Sequence, residues 1–179
     1  MSADSVQEAW LKAWQFAARA HSGQLTPGEP LPYVVHLGSV AMEILCAHQH
    51  QPFGDPELAV TCALLHDTLE DTKIKPEDIE AAFGARVLAG VRALTKDASL
   101  PKDRKMHDSL ERIQQQPSEI WAVKLADRIT NMQTPPSPWS QEKIAAYREE
   151  AKAIHAALAS AHAFLGARLN RKIDAYPPK

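Results

Sequence analysis

The stretch Leu58 to Leu65 reads LAVTCALL, with no charge anywhere in it. A helix that is apolar on every side gains nothing from water on any face, so other elements must enclose it. The chain is thus constrained to build its core around this segment. The residues that follow have the opposite character: HDTLEDT brings His66, Asp67, Glu70 and Asp71 to the end of the same helix. His66 and Glu70 are four apart, as are Asp67 and Asp71, which places each pair on neighbouring sides of one helix end. Burying such groups without partners is costly. Either the helix end faces water, or a partner such as a divalent cation satisfies imidazole and carboxylates together.

The rest of the pattern is helical. A first helix, with Asp4 or Ser5 as cap, is expected to run to about Ala20, with Trp10, Trp14 and Ala17 on one stripe. SGQLTPGEPLP is a loop by its prolines and glycines. Helices then follow from Val34 to His48, from Glu57 to Leu69, over KPEDIEAAFG and over ARVLAGVRALTKD. The next two run from Lys102 to Gln115 and from Ser118 to Met132. TPPSPW stops the chain, because proline ends helices and extends the residue before it. One long helix is expected from Gln141 to Tyr176. No alternating strand pattern occurs, so the fold class is all-α, one domain over residues 1–179 built as a bundle of about eight helices.

Composition narrows the function classes. With 179 residues, 45% hydrophobic and a net charge of −2, the chain has core enough for one domain and no global polycation to hold nucleic acid. It lacks a signal peptide's basic start and apolar run, and no stretch is long enough to cross a membrane. A cytoplasmic protein is expected, with Cys46 and Cys62 as buried free thiols. Oligomeric state is not legible.

Two further stretches bear on the polar helix end. In PYVVHLGSV, His36 opens an apolar helix just after the proline-rich loop. In WAVKLADRITNM, Asp127 lies on the stripe of Val123, Ala126 and Thr130, with Lys124, Arg128 and Asn131 beside it. A satisfied core histidine and a helical ion pair are the ordinary readings of each alone. Together with HDTLEDT they change the picture. His36, His66–Asp67 and Asp127 resemble the H…HD…D metal set of the HD phosphohydrolase superfamily. HDTLEDT, TKD, VKLADRITNM and the AHSGQ…PYVVH opening resemble the hydrolase domain of RelA/SpoT homologues, over residues 17–159. The chain ends after that region, and LPKDRK and PWSQEKIAAY are similar to the metazoan SpoT-homologue type, so the resemblance implies a stand-alone small alarmone hydrolase.

The resemblance implies one Mn²⁺ held by His36, His66, Asp67 and Asp127, although two imidazoles and two carboxylates do not by themselves choose it over other divalent ions. It also implies that Glu70 and Asp71 orient and deprotonate the attacking water, with Glu70 the more direct base. The reaction would be hydrolysis of a nucleoside 3′-diphosphate with release of pyrophosphate, the partner being a small-molecule nucleotide. Matching positions make Lys102, Lys143 and Tyr147 phosphate contacts, and place Asn131 and Thr134 near ribose and base. One departure matters. Many members carry an Arg-Lys pair between GQ and PY, where this chain has Leu25–Thr26. Leucine replaces neither a stacking guanidinium nor a charge, so (p)ppApp stands beside (p)ppGpp as substrate. The alternatives are a phosphatase acting on another nucleotide and a non-catalytic nucleotide-binding module.

Overall fold

The computed structural model describes residues 3–28 and 30–178. The helices in order are α1 (Ala3–Ala20), α2 (Val34–His50), α3 (Pro56–Leu65), α4 (Thr68–Asp71), α5 (Pro76–Phe83), α6 (Ala85–Leu94), α7 (Lys102–Gln114), α8 (Ser118–Asn131), α9 (Gln141–Leu158) and α10 (Ala163–Asp174). A 3₁₀ turn, Ala159–Ala161, joins the last two. Among the described residues the only β pairing is an isolated bridge between Leu25 and Pro32. The fold is all-α.

The apolar segment lies at the centre. Every residue from Leu58 to Leu65 is buried, and α1, α2, α6 and α8 all pack on α3. Its start is set by Pro56 and by the Asp55 side chain, which accepts from the Leu58 amide at 3.0 Å. Close approach of α6 depends on Gly90: a Cβ there would stand 2.6 Å from Ile120 Cδ1 and 2.9 Å from Cys62 Sγ. On the other side α8 is buried from Ala122 to Ile129, as are Glu119 and Ile120 before the partly buried Trp121. Asp127 therefore enters the core on a helix with almost no solvent face.

Four local expectations need correction. The helix expected over Glu57–Leu69 stops at Leu65, and Asp67 adopts φ −97°, ψ −1° before α4 resumes. The His66 ring takes the Ala63 carbonyl, which a continuous helix would offer to the Asp67 amide. The last helix is also broken: Leu158 has φ −123° and His162 is extended at φ −158°, ψ 113°. His162 leaves the helix to reach the Gln51 carbonyl at 2.8 Å and lie against Phe53, a tertiary pull with no local signal. Asp4 and Ser5 fall inside α1 instead of capping it. Cys46 is exposed on the outer side of α2, whereas Cys62 is buried as expected.

Candidate metal centre

Three elements bring the HD residues together. His36 sits in the first turn of α2, His66 and Asp67 form the turn between α3 and α4, and Asp127 lies near the end of α8. Three of the four are below a tenth exposed, and Asp67 is half-buried. His36 Nε2 lies 3.3 Å from His66 Nε2, 3.5 Å from Asp67 Oδ2 and 3.6 Å from Asp127 Oδ1. His66 Nε2 lies 2.9 Å from Asp67 Oδ2 and 3.7 Å from Asp127 Oδ1. A cation bonded at about 2.1 Å to several donors sets neighbouring donors about 3 Å apart. The His36, His66 and Asp67 donors converge near that spacing, with Asp127 Oδ1 somewhat farther out against both imidazoles. Two imidazole nitrogens with two carboxylate oxygens suit a divalent ion.

Neighbouring groups fix three of the four donors. His66 Nδ1 donates to the Ala63 carbonyl at 2.8 Å, so Nε2 is the nitrogen left for the centre. The Tyr33 hydroxyl donates to Asp67 Oδ2 at 2.6 Å. Lys124 Nζ, buried beside Asp127, donates to its Oδ2 at 2.9 Å, and Asn131 Nδ2 donates to Oδ1 at 2.6 Å. Burial works against ionisation of Asp127, but the Lys124 ammonium and then His66 outweigh it and hold the carboxyl well below the usual range. Asp67 is likewise held far down, against burial, by His66, His36 and Tyr33. Burial lowers the basicity of His66, yet Asp67 and Asp127 reverse this and bring its pKa up to about 10. Without a cation the carboxylates thus keep a proton on His66.

Glu70 and Asp71 lie on α4, immediately after the turn. Glu70 Oε2 accepts from the Lys96 amide at 3.0 Å, and Oε1 lies 3.5 Å from Lys96 Nζ. Asp71 Oδ2 accepts from Gln24 Nε2 at 3.4 Å, and its pKa is raised by burial and by the nearby Asp67 charge. Asp71 also lines a cavity of about 550 Å³ at the end of α1, together with His21, Gln24, Arg19 and Lys73.

A larger groove, about 1350 Å³, has the buried His36 in its lining. Thr26, Asn131, Thr134 and Tyr147 line it as well. Leu25 is 56% exposed beside Thr26 and, like Lys143 and Lys102, is not part of the lining. Lys143 stands over the Trp139 ring at 4.1 Å, which brings it to the rim through a residue that does line the groove. Lys102 is exposed at the first turn of α7. Sequence reasoning did not single out Tyr33, Lys124, His21 or Gln24. Lys124 carried a signal, being three residues before Asp127 on one helix, and Tyr33 and the AHSGQ residues lay inside motifs read only for recognition.

An HD domain family model matches residues 13–163. The guanosine-3′,5′-bis(diphosphate) 3′-pyrophosphohydrolase MESH1 of Danio rerio is 32% identical over 166 residues, 90% of each chain. The chain belongs to the HD-domain family, among the RelA/SpoT homologues. Within this family the MESH1 of Homo sapiens is 32% identical over 149 residues, 80% of this chain and 81% of that one. The GTP pyrophosphokinase of Myxococcus xanthus is 33% identical over 166 residues, which are 83% of this chain and 20% of that one. The HD fold seen here superposes with a TM-score of 0.81 and 29% identity on the structure of a metazoan ortholog of SpoT that hydrolyzes ppGpp, covering 99% of this chain and 97% of that one.

Proposed function

We propose that this RelA/SpoT homologue is a metal-dependent 3′-pyrophosphohydrolase of alarmone nucleotides, acting on (p)ppGpp or (p)ppApp and releasing pyrophosphate. The observation that carries the reading is the convergence of the His36, His66 and Asp67 donor atoms at 2.9–3.5 Å, with Asp127 Oδ1 at 3.6–3.7 Å from both imidazoles. These four would hold Mn²⁺ or a similar divalent ion. Such an ion, when bound, supplies positive charge that acidifies water and offsets charge on a phosphoryl group. The relatives named as guanosine bis(diphosphate) pyrophosphohydrolases support the reaction class.

The protein's own groups divide the remaining work. Glu70 and Asp71 orient the attacking water and take its proton. The Lys96 amide and ammonium hold Glu70 in place, whereas Asp71 lines the cavity at the end of α1. Asp71 is therefore assigned as the base and Glu70 as the positioning carboxylate, the reverse of the order the resemblance favoured. Water oxygen bonds to the phosphorus next to the ribose, the P–O3′ bond breaks, and a proton goes to O3′. The nucleoside lies in the groove beside Asn131, Thr134 and Tyr147, while water reaches Asp71 from the cavity at the end of α1. Lys143, standing over the groove-lining Trp139, is assigned to the phosphate chain, and Lys102 is assigned to it by motif position alone. Leu25–Thr26 leave the base end without a guanidinium, so selection for guanine is weak and adenine is accepted.

Residues 1–179 act as a single domain in the cytoplasm, with a small-molecule nucleotide as partner and neither nucleic acid nor membrane involved. No helix among the described residues is long and apolar enough to cross a membrane. The test is incubation of purified protein with Mn²⁺ and each of ppGpp and ppApp. Pyrophosphate release is expected from at least one. Orthophosphate release from another nucleotide would favour the phosphatase reading, and tight binding without product the non-catalytic one.

A further inference from the structure

The AHSGQ turn and Tyr33 carry contacts that the proposed reaction leaves unused. His21 is 3% exposed, and its Nδ1 lies 2.7 Å from Gln24 Oε1. An amide oxygen only accepts, so Nδ1 carries the hydrogen. The other end of the same amide, Gln24 Nε2, then donates to Asp71 Oδ2. The flat face of the His21 ring stacks on Tyr33 at 4.9 Å and 22°. Tyr33 in turn donates to Asp67 Oδ2 at 2.6 Å. The loop between them closes on itself, through Tyr33 N to the Gln24 carbonyl at 2.9 Å and Thr26 N to the Leu31 carbonyl at 2.8 Å. Gln24 and Tyr33 are thereby set opposite each other, with His21 against both.

We propose that His21 is a positioning residue for two separate parts of the centre: the Asp67 carboxylate through Tyr33, and the Asp71 carboxylate through Gln24. Packing alone does not ask for an imidazole here, since His21 Nε2 is buried without a partner and a phenyl ring would avoid that cost. What the imidazole adds is the Nδ1 hydrogen that fixes which way the Gln24 amide points. Asp71 needs such a restraint, because its cavity also holds Arg19 and Lys73, and neither forms an ion pair among the described residues. A free Asp71 would turn outward to either cation. The Tyr33 hydroxyl similarly keeps one Asp67 oxygen directed at His66 and His36, the kind of support whose loss weakens metal binding.

This inference rests on the reading of Asp67 as a metal ligand and Asp71 as a water-handling base, and its test separates the two arms. Mn²⁺ affinity, kcat, KM and Tm are measured on full-length wild type, Tyr33→Phe, Gln24→Ala, His21→Phe and His21→Ala. Tyr33→Phe is expected to weaken Mn²⁺ binding about tenfold or more. Gln24→Ala is expected to lower kcat about tenfold while leaving KM and Mn²⁺ affinity within about twofold of wild type. His21→Phe, which keeps the stacked ring but not the Nδ1 hydrogen, is expected to show the kcat loss of Gln24→Ala with Mn²⁺ affinity within about twofold of wild type. His21→Ala, which also removes the ring, is expected to show both losses. Gln24→Ala or His21→Phe with unchanged kcat, or Tyr33→Phe and His21→Ala with unchanged Mn²⁺ affinity, overturns the proposal whatever happens to Tm. If wild type releases no pyrophosphate, the reaction reading falls, and Mn²⁺ affinity still decides the Tyr33 arm. Should His21→Phe not fold, Tyr33→Phe and Gln24→Ala decide the matter by the same two readouts.

Discussion

His66 donates through Nδ1 to the carbonyl oxygen of Ala63, 2.8 Å away and one turn earlier in α3. That bond ends the central helix and turns Nε2 toward His36, Asp67 and Asp127. One contact therefore couples the boundary of a core element to the composition of the centre.

A consequence is competition between a proton and a cation. In the metal-free protein the two carboxylates outweigh burial and keep His66 protonated up to about pH 10. A cation must displace that proton, so apparent Mn²⁺ affinity should rise with pH, by up to about tenfold per unit below that value. Titration calorimetry in buffers of different ionisation enthalpy should show about one proton released per ion bound near pH 7. Binding that is independent of pH and buffer would contradict this.

Lys124 is the buried countercharge of Asp127, with both side chains below a tenth exposed. Lys124→Met removes the ammonium and leaves the carboxylate oxygen enclosed. Breaking such a pair from one side costs about 3–5 kcal/mol, which for a chain of this size lowers Tm by roughly 10 °C. Thermal unfolding of the metal-free variant measures it, and added Mn²⁺ should restore part of the loss by supplying positive charge. An unchanged Tm would show that Lys124 does not stabilise Asp127.

The base end of the groove offers a gain-of-preference experiment. Restoring the pair as Leu25→Arg with Thr26→Lys places a guanidinium and an ammonium where Leu25 is now 56% exposed. A stacked guanidinium contributes about 1–2 kcal/mol, so KM for ppGpp should fall roughly tenfold, with a smaller change for ppApp. Competition assays with both nucleotides give the ratio. An unaltered ratio would remove this loop from base selection.

The all-α fold was legible because Leu58–Leu65 demanded enclosure and the prolines and glycines marked most of the breaks. The four proposed ligands were legible through motif spacing. Their support was not, since Tyr33 reaches Asp67 across 34 residues and Gln24 reaches Asp71 across 47, distances over which no local pattern operates. The two broken helices were missed for a related reason. His66 and His162 each leave helical register to satisfy a particular carbonyl, of Ala63 and Gln51, and helix propensity does not register such a bond. Lys124 was visible as a neighbour of Asp127, but only its burial distinguishes it from an ordinary surface pair.

Metal stoichiometry tests the proposed centre most directly, measured by elemental analysis and by Mn²⁺ titration on wild type and Asp127→Ala. About one divalent ion per chain is expected in wild type, and in Asp127→Ala a loss of affinity of about a hundredfold or more, because a donor itself is removed. A wild type that takes up no divalent ion at neutral pH, or an Asp127→Ala variant that binds as tightly as wild type, would contradict the four-ligand centre.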